Sequence, residues 1–167
     1  MNYRVVLDTS TLILLARIDL LPILTERTGV LIPAEVEREA MARPQSYDAK
    51  LISSTVAAGK VKVTDEVGPD RFKRIAADFG LDAGEAAALA LAKKRGLPLG
   101  TDDGPAIKAS KIMEVPFFTA VHVLLELYGK RRIAGDEALA KLHVLEKIAR
   151  YSVQILEDAR KQIKEKR

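Results

Sequence analysis

The sequence predicts an α/β protein built on a parallel sheet of about five strands, and three observations carry that expectation. Short apolar runs of strand length alternate along the chain with segments of helical periodicity, the pattern of successive βαβ units. Val5-Val6-Leu7 and Val30-Leu31-Ile32 are apolar without alternation, as strands covered on both faces are. Pro44, Gly59, Gly80 and Gly96 fall between the segments, where helices must stop.

The first strand is Arg4 to Leu7. Thr9, Ser10 or Thr11 can cap a helix running through Leu12, Ile13, Leu14, Leu15 and Ile18. After the strand Val30–Ile32, Pro33 suits the first turn of a helix that carries Glu35, Val36 and Glu39 and reaches Pro44. Tyr47 to Ala58 forms another helix, and Lys60 to Thr64 alternates as an exposed edge strand does. Two helices follow, Pro69–Phe79 and the alanine-rich Asp82–Arg95, closed by Gly80 and Gly96. Leu97 to Thr101 is a strand, Pro105 to Lys111 a helix and Val115 to Phe118 the last strand. From Ala120 only helices remain, punctuated by Gly129 and Gly135 into three pieces.

The 167 residues suffice for one domain with a helical appendage; 48% are hydrophobic and 30% charged, ordinary for a globular protein. With no cysteine and only His122 and His143, disulfides, thiolate metal sites and histidine zinc cages are excluded. No leader-like segment and no apolar run of about 20 residues is present, so the expected location is cytoplasmic. The formal charge is +4, with basic clusters at Lys130-Arg131-Arg132 and from Arg160 to Arg167. These clusters suit phosphate contacts to nucleic acid, and equally a solvated helix end.

Carboxylates hold the chemistry. Asp8 closes the first strand, where it is either a helix cap or a cation ligand. Glu35 and Glu39 lie one turn apart on a helix, with Arg43 a further turn beyond Glu39. Asp82 and Glu85 have capping-box spacing, which is compatible with a metal role. Asp102 and Asp103 follow a strand side by side, and two adjacent carboxylates repel unless a cation or a hydrogen-bond network compensates them. Acids at strand ends and helix starts, with oxygen as the only available donor, suit Mg²⁺ or Mn²⁺ and phosphodiester hydrolysis by activated water.

The segments Val5-Val6-Leu7-Asp8-Thr9-Ser10-Thr11, Pro33-Ala34-Glu35-Val36-Glu37-Arg38-Glu39, Leu81-Asp82-Ala83-Gly84-Glu85 and Thr101-Asp102-Asp103 resemble, in order and spacing, those of the PIN-domain superfamily. The resemblance covers residues 1 to about 130 and is nearest to VapC-like prokaryotic members with a Leu-x-x-Gly-Glu element and a Thr-Asp-Asp strand end. It implies a three-layer αβα sandwich with strand order 3-2-1-4-5 for a PIN-like domain of residues 1–130. The helical extension of residues 131–167, expected to pack on the same domain, is a departure, longer than in minimal toxins of the family. It further implies a Mg²⁺- or Mn²⁺-dependent endoribonuclease, as in toxins of toxin–antitoxin pairs or RNA-processing nucleases. RNA, an antitoxin protein and a second copy of the chain are the implied partners. Asp8, Glu39 and Glu85 carry over as metal-holding catalytic acids, with Asp102 or Asp103 as the fourth, and Thr9 or Ser10 supplies an accompanying hydroxyl. A non-catalytic PIN-type RNA-binding or scaffold protein is the competing reading. A phosphotransfer receiver fits poorly, because Asp8 stands alone and no lysine precedes Pro116.

Overall fold

The structure, a computed structural model, describes residues 3–166. Its strands are β1 (Tyr3–Leu7), β2 (Gly29–Pro33), β3 (Val61–Thr64), β4 (Leu99–Gly100) and β5 (Phe117–Phe118). They form one parallel sheet in the order β3-β2-β1-β4-β5, as the resemblance implies. All five residues of β2 are buried, so helices cover the sheet on both faces. At the edge, β3 buries Val61 and exposes Lys62, the charged edge that discourages pairing with another chain.

The helices before β4 are α1 (Thr9–Arg17), α2 (Leu21–Thr25), α3 (Ala34–Ala40), α4 (Tyr47–Ala57), α5 (Pro69–Phe79) and α6 (Ala83–Arg95). Helix α6 is buried continuously from Ala86 to Ala92, and its alanines let it lie close to β1 and β2. Basic residues fill its last turn, and Gly96 caps it in the left-handed conformation, φ 64°. After β4 come α7 (Gly104–Ile112), α8 (Ala120–Gly129), α9 (Gly135–Ile148) and α10 (Val153–Glu165).

Several boundaries differ from expectation for identifiable reasons. Helix α1 ends at Arg17 rather than Ile18, because Asp19 turns left-handed (φ 56°) and Leu20 then leads into α2, a short helix not expected from the sequence although Pro22 in its first turn suits a helix start. Helix α3 stops at Ala40, short of Pro44. Strands β4 and β5 are two residues each. The Leu97 N–H is spent on Ala92 O at the end of α6, the Val115 N–H on Ser110 O at the end of α7, and Pro98 and Pro116 have no N–H to give. The proline carbonyls still pair, Pro98 with Val6 and Pro116 with Leu99.

The C-terminal helices do not break at both glycines. Gly135 opens α9, and the α9–α10 break falls at residues 149–152, where the Ser152 hydroxyl caps α10. The apolar residues of α9 and α10 divide: Leu142, Leu145, Leu156 and Ile163 are buried, whereas Ile148 and Ile155 are 37% and 47% exposed. The Tyr128 hydroxyl ties α8 to α10 by donating to Ile163 O at 2.8 Å. Among the described residues no helix is long and apolar enough to cross a membrane.

Candidate active site

The carboxylates gather where the sheet changes direction. Leu7 pairs with Gly100, and the Asp8 N–H donates to Gly100 O at 3.0 Å. The ends of β1 and β4 therefore lie side by side, leaving at the switch point the crevice in which open α/β sheets bind ligands. The first turn of α1 rises from this point and distributes its three hydroxyls among three acids. Thr9 donates to Glu39 Oε2 at 2.6 Å, Ser10 to Asp8 Oδ1 at 2.9 Å, and Thr11 to Asp102 Oδ2 at 2.6 Å.

Asp8 is fully buried and is both cap and candidate ligand, one oxygen for each. Oδ1 accepts the Thr11 N–H at 3.0 Å and so caps α1. Oδ2 is buried without a hydrogen-bond partner. Burial raises the carboxyl from 3.8 to about 6 and the charge of Asp102 adds to the rise, while Thr101, Thr11 and Ser10 oppose it. The Thr101 hydroxyl is near enough to favour the anion without completing a hydrogen bond to Oδ2; its oxygen accepts the Asp103 N–H at 3.3 Å.

Glu85 enters from the first turn of α6. Its Oε2 accepts the Asp82 N–H at 3.0 Å, the glutamate half of the capping box the spacing announced. Burial raises Glu85 from 4.5 to about 7 against that bond, and the charges of Asp103, Asp82 and Asp8 push the same way. These four acids thus share one electrostatic environment.

Glu39 braces the far side, with Oε1 on the Gly84 N–H at 2.8 Å and Oε2 on the Thr9 hydroxyl. That contact explains the glycine of the Leu-x-x-Gly-Glu element. A Cβ on Gly84 would lie 2.3 Å from Glu39 Oε2 and 2.6 Å from Thr9 Oγ1, closer than atoms can approach. Glu35, one turn earlier on α3, makes none of these bonds.

Asp102 and Asp103 have separate surroundings. Asp103 caps α7 by accepting the Ala106 N–H on Oδ2 at 2.9 Å, and its charge bears on Glu85. Asp102 receives the Thr11 hydroxyl, the Ala120 N–H at 3.2 Å on both oxygens, and the Tyr151 hydroxyl on Oδ1. Burial and the Asp102 charge hold the Tyr151 phenol above its usual range, so it stays protonated as the donor. Sequence reasoning missed the hydroxyls of Thr11, Thr101 and Tyr151 and the Gly84 N–H. Hydroxyls beside the acids and the glycine before Glu85 were visible signals for three of them; nothing local pointed to Tyr151.

The donor set suits a hard divalent cation. Among the described residues none of Asp8, Glu39, Asp82, Glu85, Asp102 and Asp103 is paired with lysine or arginine, and Asp8 Oδ2 has no protein donor. No three acidic or histidine side chains among the described residues form a ready-made cage, so the acids are neighbours rather than a closed coordination shell.

A parallel sheet in this order with acids at its switch point defines a class of α/β proteins, and comparison with known proteins gives the family. A family model described as PIN domain matches residues 4–165, and the chain belongs to that family. Among solved structures, the crystal structure of PAE2754 from Pyrobaculum aerophilum is similar in fold, with 21% identity and a TM-score of 0.55, over 76% of this chain and 96% of that one. No curated protein matches the chain significantly. Membership places the chain in a family whose members are typically nucleases.

Proposed function

We propose that the protein is a metal-dependent endoribonuclease. The observation that carries this reading is Asp8 Oδ2, buried at the switch point without a partner and surrounded by acids with no lysine or arginine among them. An unpaired buried carboxylate oxygen costs free energy unless something positive meets it. Asp8, Glu85 and Asp103 are the residues that would hold the cation, with Glu39 beside them. A bound Mg²⁺ or Mn²⁺ supplies activation of water and neutralisation of phosphodiester charge.

The chain's own groups supply the rest. Ser10 and the Thr11 N–H fix Asp8, and Asp103 is fixed by its cap on α7. Thr9 and Gly84 hold Glu39 against the start of α6. Glu85, near neutrality in the metal-free protein, can hold a proton at its carboxyl while the crevice is empty of substrate. Lys130-Arg131-Arg132 and the basic end of α10 lie at the far end of α8 from Asp102 and are largely ion-paired, Lys130 with Glu126, Arg132 with Glu26, Arg160 with Glu146 and Lys161 with Glu165, so no phosphate contact at the crevice is assigned to them.

A fluorescently labelled single-stranded RNA incubated with Mn²⁺ tests the reading. Cleavage by the wild type, none in EDTA, and none by the Asp8→Asn/Asp103→Asn double variant is the expected outcome. Equal cleavage by the double variant would show that the nuclease lies elsewhere. A toxin role is a narrower form of the same activity and predicts growth arrest on expression that Asp8→Asn relieves.

A further inference from the structure

The linker between α9 and α10, residues 149–152, reaches back to the acidic crevice from a part of the chain far from it in sequence. Tyr151 lies in this linker, half-buried, with its hydroxyl on Asp102 Oδ1. Both flanks are anchored: Leu142 and Leu145 of α9 and Leu156, Ala159 and Ile163 of α10 are buried in the common core. The tyrosine is therefore held in place by two helices rather than resting on a loose end.

Its partner is already heavily engaged. Asp102 Oδ2 has the Thr11 hydroxyl at 2.6 Å, and both oxygens share the Ala120 N–H at the start of α8. With Tyr151 on Oδ1, each oxygen has a hydroxyl donor and a share of a backbone donor. A carboxylate so occupied has little left to offer a cation. Asp103 differs in its hydrogen bonding, since its cap on α7 engages one oxygen with a single donor; the charges of both acids bear on the site, Asp102 on Asp8 and Asp103 on Glu85.

We infer that Tyr151 is a positioning residue: it reserves Asp102 as an anchor joining α1, α8 and the C-terminal helices, and so sets the adjacent Asp103 as the carboxylate that serves the cation site. The inference rests on the metal-binding reading above but does not depend on RNA cleavage. It gives the C-terminal helices a part in the site, although they contribute none of the acids.

Direct measurement of Mn²⁺ binding by isothermal titration calorimetry on the full chain tests it. Tyr151→Phe removes only the hydroxyl. It should weaken Mn²⁺ affinity at least about threefold, because the freed Asp102 no longer holds the turn that sets Asp103. In an Asp102→Asn background the same substitution should change Mn²⁺ affinity less than twofold, since the tyrosine acts through that carboxylate. Tyr128→Phe, which breaks the α8–α10 tie at Ile163 without touching Asp102, should lower thermal stability and leave Mn²⁺ affinity at the wild-type value. Unchanged affinity in Tyr151→Phe, or an equal loss in Tyr128→Phe, overturns the inference and leaves Tyr151 a packing residue. A wild type that takes up no Mn²⁺ overturns both this inference and the metal reading beneath it.

Discussion

Asp8→Asn should stabilise the metal-free protein at pH 8 and remove its response to metal. Burial holds the Asp8 carboxyl at about 6 against an ordinary 3.8, an elevation corresponding to at most about 3 kcal/mol against the ionised form. The sign follows from linkage. The native state binds this proton more tightly than the unfolded chain, so the favourable contribution is fully present below pH 3.8 and is lost as the pH rises through about 6. At pH 8 the full penalty applies. Asparagine keeps an oxygen for Ser10 and the Thr11 N–H but places an amide where Oδ2 was, which offsets part of the gain. A net stabilisation of about 2 kcal/mol remains, or roughly 4–8 °C in melting temperature for a chain of this size.

At pH 4 the two proteins should melt within a degree or two of each other, because wild-type Asp8 is then largely protonated in the folded state. Mn²⁺ inverts the order at pH 8. A cation at one hundred times its dissociation constant adds about 2.7 kcal/mol to the wild type and nothing to a variant that has lost the site. Urea or thermal denaturation in EDTA and in Mn²⁺, at pH 4 and pH 8, reads all four quantities. If Asp8→Asn is destabilised by the same amount at both pH values and with or without Mn²⁺, Asp8 is a helix cap alone and the reasoning fails.

Three further outcomes follow from the same geometry. Asp103→Asn should leave metal-free stability within about 0.5 kcal/mol, because asparagine caps helices as well as aspartate does, while calorimetry finds Mn²⁺ binding lost. Thr11→Val, which strips one donor from Asp102, should cost about 1–3 kcal/mol by urea denaturation with the fold retained by circular dichroism. Gly84→Ala drives a Cβ into the end of the Glu39 side chain and Thr9 Oγ1; Glu39 can swing its carboxylate aside, so the cost should be about 1 kcal/mol, with its bonds to Thr9 and Gly84 lost and Mn²⁺ affinity weakened. A fully stable, metal-competent Gly84→Ala protein would contradict the contacts assigned to Glu39.

Much of the architecture was legible because it depends on local chemistry. The continuous apolar runs of β1 and β2, the alanine-rich α6 and the glycine stops Gly80 and Gly96 each act within a few residues, and each element formed where they indicated. Asp8 was legible as cap or ligand, and the structure gives one oxygen to the cap while leaving the other free. What was illegible depends on distant partners. The lengths of β4 and β5 are set by neighbouring helix ends claiming Leu97 and Val115, a competition that strand propensity does not register. The Asp102-Asp103 pair could not be divided by spacing alone, because what separates the two is a tyrosine 49 residues away from Asp102 in sequence. Gly84 appeared as a motif letter, and its reason, the approach of Glu39 from another helix, exists only in three dimensions.

On the metal-binding reading these acids form a hard-cation site at the switch point. A crystal soaked in Mn²⁺, with anomalous difference density collected at the manganese edge, tests it directly. Manganese is expected within coordination distance of Asp8 Oδ2, with Glu85 and Asp103 as further ligands and Asp102 outside the shell. Manganese bound only elsewhere on the surface, or coordinated by Asp102 in place of Asp103, would contradict that reading.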